Sequence, residues 1–158
     1  MKLQWLKLIL SIVLTSMAGF VGSLFTFDSV RTWYLMIQKP SFNPPSWIFG
    51  PVWTTLYVLM GISFYLVWIK GFETKTAKVA LMLFIAQLVL NALWSILFFG
   101  LHSPLWAFVE IVFLWAMIVM TIFFFYRISQ PSAYLLVPYI LWVSFAAILN
   151  FSIYWLNR

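Results

Sequence analysis

Long apolar stretches without a charge dominate this chain: Leu8–Phe27, Pro40–Ile69, Val79–Val109, Ile111–Tyr126 and Ile128–Asn157. Glu110 alone separates the third from the fourth. A bilayer-spanning helix needs about 20 apolar residues, so turn chemistry must divide the longer stretches. Gly100-Leu101-His102-Ser103-Pro104 reads as a helix stop, loop and restart, and Ser129-Gln130-Pro131-Ser132 repeats the signal. The pattern predicts five transmembrane helices over residues 6–27, 47–69, 79–99, 104–126 and 133–155. The expected fold class is all-α: a polytopic membrane protein, a single five-transmembrane-helix bundle over residues 1–158 with a long first loop at 28–46.

Composition strengthens that picture. Hydrophobic residues make up 65% of the chain and charged ones 8%, against about 25% charged in a soluble domain. Three acids and nine bases cannot cover a water-soluble globule of this size. The absence of cysteine excludes disulfides, thiolate metal sites and a cysteine nucleophile. One histidine and three carboxylates exclude most metal-ligand clusters, and no metal or resident cofactor is expected.

The net charge of +6 does not call for nucleic acid; its distribution speaks to orientation instead. The N-terminal side carries Lys2, Lys7, Lys70, Lys75, Lys78 and Arg127, and the opposite side Arg31, Lys39 and Arg158. That asymmetry predicts a cytoplasmic N-terminus. Lys2 and Lys7 resemble the charged start of a signal peptide. The 20-residue apolar run of Leu8–Phe27 is longer than the usual 7–15 or so, and no Ala-x-Ala site follows. The first helix is therefore expected to stay in place.

The connections are unequal. The first loop carries Trp33, Tyr34, Phe42 and the prolines Pro40, Pro44 and Pro45. Prolines stiffen the segment and deny it helical continuity, and the aromatics favour an apolar lid folded over one end of the bundle. The alternative is a segment resting in the membrane interface, where Trp and Tyr are at home.

Polar side chains inside the spans collect beneath that loop. At about 1.5 Å rise per residue, Glu110 and Trp53 lie about 9 Å from the lid-side face, and Asn150 about 8 Å. On the same scale Asn91 lies about 12 Å deep, with Gln87 one turn deeper, and Trp142 lies at about 20 Å. Polar groups facing lipid are costly, so these are expected to point inward. They describe either an apolar pocket with a few orienting hydrogen-bond groups or interhelical clamps worth about 0.6 kcal/mol each.

A string of residues then carries a family resemblance. It runs Trp33-Tyr34, Lys39-Pro40, Asn43-Pro44-Pro45, Phe49, Trp53, Leu56-Tyr57 and Gly61, then Gln87, Asn91, Trp94 and Phe98-Phe99. Val137-Pro138-Tyr139, Trp142, Phe145-Ala146 and Leu149-Asn150 complete it. From about Trp33 to Asn150 the chain resembles the translocator protein family, also called the peripheral-type benzodiazepine receptor or tryptophan-rich sensory protein family. The resemblance implies a five-helix membrane protein, often a homodimer, that binds porphyrins such as protoporphyrin IX and haem. It also implies sterol or benzodiazepine-type ligands in some relatives. Tyr34 matches a lid-side aromatic, Trp53 and Asn91 match ligand hydrogen-bonding positions, Trp142 matches a second pocket tryptophan, and Ala146 a small lining residue. Glu110 matches an acid that is more often Asp.

Weaker signals remain. Leu149, Tyr154 and Arg158 fit a loose sterol pattern, but Tyr154, Trp155 and Arg158 read better as interfacial anchors, as do Trp5, Trp47, Trp68 and Trp106. Ser16, Gly19, Gly22 and Ser23 have helix-packing spacing, for internal packing or a dimer. His102 is a poor haem-ligand candidate, in a short loop without a second histidine. Three functional classes follow: a receptor, sensor or carrier for porphyrins; an enzyme-like light- and oxygen-dependent degrader of protoporphyrin IX, with Trp53 and Trp142 as candidate electron donors; and a small-solute transporter. No inverted repeat or pair of broken helices favours the last. In the first class, propionates would meet Arg31 or Lys39 at the rim.

Overall fold

The computed structural model describes residues 4–158; Lys2, counted above with the N-terminal charges, lies outside the described residues. Five helical spans are long and apolar enough to cross a membrane: Trp5–Arg31, Ser46–Trp68, Lys75–Gly100, Pro104–Ile128 and Gln130–Leu156. The first is α1 (Trp5–Arg31), followed by a one-turn α2 (Trp33–Met36) in the first loop and then α3 (Ser46–Trp68). The third span is α4 (Lys75–Ser95), which ends in a π turn at Ile96–Gly100. α5 (Pro104–Ile128) follows, and the last span is divided into α6 (Gln130–Leu135) and α7 (Val137–Leu156).

The differences from the sequence pattern have local causes. α1 continues through Asp28 and Ser29 to Arg31, shortening the first loop. α4 starts at Lys75 rather than residue 79 because the Thr74 side chain accepts the Ala77 N–H at 3.1 Å, capping the turn. Lys75 and Lys78 then sit in the first helical turn. Just before it Gly71 adopts φ +88, a left-handed conformation that glycine takes without strain after a helix end. The last span breaks at Leu136, since Pro138 has no N–H to continue the ladder from α6.

Around the bundle, α1 packs on α3 and α4, α4 on α5, α5 on α7, and α6 and α7 return to α3. The half of the bundle away from the first loop is solid. Phe64 stacks on Phe84 at 4.8 Å and Phe84 on Phe125 at 5.5 Å, with Met60, Val67, Ala80, Leu114, Ile118 and Leu136 buried around them. Ser63 and Ser132 lock α3 to α6 there by donating to each other's carbonyls at 2.8 and 2.7 Å. α1 packs Leu14 and Ala18 against this core and approaches α3 closely where small residues allow it. A Cβ on Gly61 would lie 2.7 Å from the Ile12 Cα, and Thr15 donates its hydroxyl to the Tyr57 carbonyl at 2.7 Å.

The first loop folds over the other end. Tyr34 is buried and donates its hydroxyl to Asn43 Oδ1 at 2.7 Å, and the Asn43 amide donates to the Pro44 carbonyl at 3.0 Å. Burial raises the Tyr34 pKa more than the Asn43 bond lowers it, so the phenol keeps its proton. The Gln38 N–H donates to Asn157 Oδ1, and the Asn157 amide donates back to the Gln38 carbonyl, both at 2.9 Å. Trp33 stacks on His102 at 4.6 Å, and His102 Nε2 lies 3.0 Å from the Ser29 hydroxyl.

Candidate functional site

Between the solid half and the loop the bundle is hollow. A cavity of about 590 Å³ lies there, within the range of pockets that hold a drug-sized molecule. Four helices, α1, α3, α4 and α7, each supply one stripe of side chains. α3 gives Ser46, Phe49, Gly50, Trp53, Thr54 and Tyr57; α4 and its π turn give Asn91, Trp94, Ser95, Phe98 and Phe99. α7 gives Trp142, Ala146, Leu149, Asn150 and Ile153, a helical stripe at spacings of three and four. α1 supplies Ser16, Gly19, Phe20, Gly22, Ser23, Thr26, Phe27, Val30 and Arg31, and Tyr34 closes the roof.

Of the residues singled out in the sequence, Tyr34, Trp53, Asn91, Trp142, Ala146, Leu149 and Asn150 border this one space. Trp53 stacks against Tyr57 at 5.6 Å and meets Tyr139 edge-on. Trp142 meets Phe49 edge-on at 6.0 Å and leans on Phe145. Among the described residues, only Trp94 and Trp115 donate their indole N–H to a side chain, and the N–H groups of Trp53 and Trp142 have no protein acceptor.

Two expectations are corrected. Glu110 and Gln87 do not border the cavity. Counting residues from a helix end gives a depth but no direction around the helix axis. α5 packs behind α4 and α7, so its buried Glu110 points into that seam, where both carboxylate oxygens lack a hydrogen-bond partner. Gln87 faces the bundle interior below the cavity, its Oε1 accepting from the Tyr139 hydroxyl at 2.9 Å and its Nε2 unpartnered. Replacing Glu110 with methionine is accordingly expected to raise thermal stability, by about 1–3 kcal/mol for an unsatisfied buried group removed, with ligand affinity unchanged. Loss of affinity in a folded Glu110→Met protein would return this residue to the site.

Asn91 both borders the cavity and clamps the bundle. Its Oδ1 accepts from the Tyr57 hydroxyl at 2.7 Å, and its amide donates to the Tyr139 hydroxyl at 3.2 Å. The chain continues to Gln87 and so joins α3, α4 and α7. Asn150 does the same work nearer the lid, accepting the Trp94 N–H at 3.0 Å and donating to the Pro104 carbonyl at 2.7 Å. Asn91→Leu strips two tyrosine hydroxyls of a partner at once. It is expected to destabilise the empty protein by about 1–3 kcal/mol, read as a lower midpoint in detergent unfolding. An unchanged midpoint would mean the amide serves only a ligand.

The remaining candidates separate. Arg31 borders the cavity with its guanidinium over the Phe27 ring at 4.0 Å. Lys39 is held away from it, over the Tyr34 ring and donating to the Ile37 carbonyl. Of the three positions of the sterol pattern, Leu149 borders the cavity and Tyr154 and Arg158 do not; Arg158 lies over Trp155, 3.1 Å from the ring centroid. His102 is engaged with Trp33 and Ser29 outside the cavity. No group of three or more His, Cys, Asp or Glu side chains that could hold a metal is found among the described residues. The contribution of α1 was the least visible in sequence; its one signal was the run of small residues, of which Gly19 and Gly22 pack inward while Ser16 and Ser23 stay exposed. Gly19 lies against the Tyr57 ring and Gly22 against Ser95.

The similarity to known proteins covers nearly the whole chain. The chain is 49% identical over 152 residues to the tryptophan-rich protein TspO of Archaeoglobus fulgidus, covering 96% of this chain and 97% of that protein. It is 38% identical over 156 residues to the translocator protein of Bos taurus, covering 98% and 92% of the two chains. Identity to the tryptophan-rich sensory protein of Cereibacter sphaeroides is 30% over 157 residues, covering 99% and 95%. The model of the TspO/MBR family matches residues 11–156. This five-span membrane chain belongs to the TspO/MBR family.

Proposed function

We propose that the protein is a membrane receptor, sensor or carrier that holds an amphipathic porphyrin, such as protoporphyrin IX or haem, in the cavity beneath the first loop. The observation that supports this reading best is the cavity itself: about 590 Å³, walled by Trp53, Trp94, Trp142, Phe49, Phe98 and Phe99, with Arg31 at its margin. Aromatic faces suit a flat macrocycle, and a guanidinium suits a propionate. Two unspent indole N–H donors orient whatever polar edge enters. By the asymmetry of basic residues the N-terminus faces the cytoplasm and the lid the opposite side.

Titration of the purified protein in detergent with protoporphyrin IX tests the reading. Three of the ten tryptophans border the cavity, so their emission should fall saturably at one porphyrin per chain. Quenching no different from that in empty micelles with free tryptophan would overturn it.

A second reading is favoured by the two tryptophans that face one space. Trp53 and Trp142 are electron-rich groups beside the proposed ligand. Under light the porphyrin supplies the photochemistry and dioxygen the oxidant, so the bound macrocycle would be degraded rather than only held.

A further inference from the structure

The walls of the cavity are not equally closed. α4 and α7 present Asn91, Trp94, Trp142 and Asn150, none of them exposed. On the other side, α1 and α3 touch at Ile12 with Gly61, Thr15 with Tyr57 and Gly19 with Tyr57, all toward the solid half. Nearer the lid, Phe20, Ser23 and Phe27 of α1 and Ser46, Gly50 and Thr54 of α3 border the cavity and are exposed, unlike the α4 and α7 side chains just named. These sets follow helical spacing, one stripe on each helix. A side chain that faces both the cavity and the outside is the edge of an opening. Both stripes lie within spans apolar enough to cross the membrane, so the outside at this height is lipid.

Roof and slot differ in what holds them. The roof is tied by the Gln38–Asn157 pair, the Tyr34–Asn43 bond and the Trp33–His102 stack. The hydroxyls along the slot bond back to their own helices: Ser23 donates to the Phe20 carbonyl at 2.7 Å and Thr54 to the Gly50 carbonyl at 2.9 Å. A Cβ on Gly50 would meet nothing within 4 Å. At the lid end of the slot stands Arg31, one turn beyond Phe27.

We infer that the slot between α1 and α3 is the passage by which a carboxylate-bearing ring compound dissolved in the bilayer enters and leaves the cavity, with Arg31 receiving its carboxylate. The inference rests on the proposed binding function. The apolar body of such a molecule lies among the acyl chains and its carboxylates at the headgroups. Sideways entry keeps both at their own depth: the ring slides between Phe20 and Gly50 while the anionic end moves past the guanidinium. Entry through the roof would take the ring through water and break the loop's ties.

The experiment follows exchange of protoporphyrin IX, and separately of its dimethyl ester, between phosphatidylcholine vesicles and the full chain in lipid nanodiscs. Gly50→Trp should slow capture and release together, each by about tenfold or more, because a blocked route raises one barrier for both directions. Leu141→Trp, at an exposed position on α7, should exchange as the wild type does. The chain has no cysteine, so Gln38→Cys with Asn157→Cys can be bridged chemically to fasten the roof, and exchange should stay within about twofold of the wild type. Arg31→Gln should slow capture of the diacid and leave the ester unaffected. Exchange stopped by the fastened roof, or faster release from Gly50→Trp, would overturn the slot as the passage. Equal slowing of diacid and ester would overturn the role of Arg31. A wild-type chain without saturable binding would instead overturn the binding function, a result distinct from all of these.

Discussion

Gly61→Leu is expected to abolish the folded bundle, and Gly61→Ala to lower its stability by about 1–3 kcal/mol, the cost of overpacking a tight contact. The reason is the identity of what a side chain would meet. A Cβ at Gly61 falls 2.7 Å from the Ile12 Cα and 3.0 Å from its N, backbone atoms that cannot rotate away. α1 would have to leave α3, taking with it the Thr15–Tyr57 bond and the fit of Gly19 on the Tyr57 ring. The matched control is Gly50→Ala, which meets nothing and should gain up to about 1 kcal/mol from helix propensity. Thermal unfolding in detergent of the two alanine variants, measured side by side, checks the pair. Equal midpoints would mean that α1 is not seated on α3 by this glycine.

The second large effect concerns the two cavity tryptophans. Trp53→Ala with Trp142→Ala removes both faces on which a macrocycle would lie and both free N–H donors. Buried aromatic anchors cost about 2 kcal/mol or more each on truncation, so porphyrin affinity should fall at least about a hundredfold. Trp53→Phe with Trp142→Phe keeps much of the stacking surface and removes the N–H and the easily oxidised ring. This variant should bind within about tenfold of the wild type if it loses one or two hydrogen bonds. Its behaviour under light separates the two functional readings. A degrader should lose its product spectrum; a binder should bleach porphyrin as slowly or as fast as before. Alanine variants that bind at wild-type affinity would remove both tryptophans from the site.

How much of this was legible in the chain depends on what a one-dimensional pattern records. Charge-free runs and turn signals locate five spans, because hydrophobic length is a property of composition. Depth can be counted too: residues numbered from a helix end put Trp53, Asn91 and Asn150 near one level, and all three border the cavity. Direction around the axis is not. Glu110 stands at the right height on α5 and points into the seam behind the cavity, since each residue turns a helix by about 100° and only packing fixes the zero. The share of Asn91 spent on Tyr57 and Tyr139 was hidden for the same reason: pocket and clamp call for the same residue type. The break at Leu136 follows from Pro138, which is plain in the sequence, whereas nothing in Ile96–Gly100 announces a π turn.

That half of the bundle is solid and half hollow has a consequence for how the molecule breathes. Around Phe64, Phe84 and Phe125 every opening must undo stacked rings and the Ser63–Ser132 lock at once. Around the cavity, a turn that loosens loses contact with empty space. Backbone amides should therefore exchange with deuterium according to depth rather than by helix. Within the single helix α3, residues near Phe49 and Trp53 would exchange sooner than those near Phe64. A molecule filling the cavity would erase that gradient by slowing the lid-side turns alone, so protection would spread along helices whose other ends were already protected.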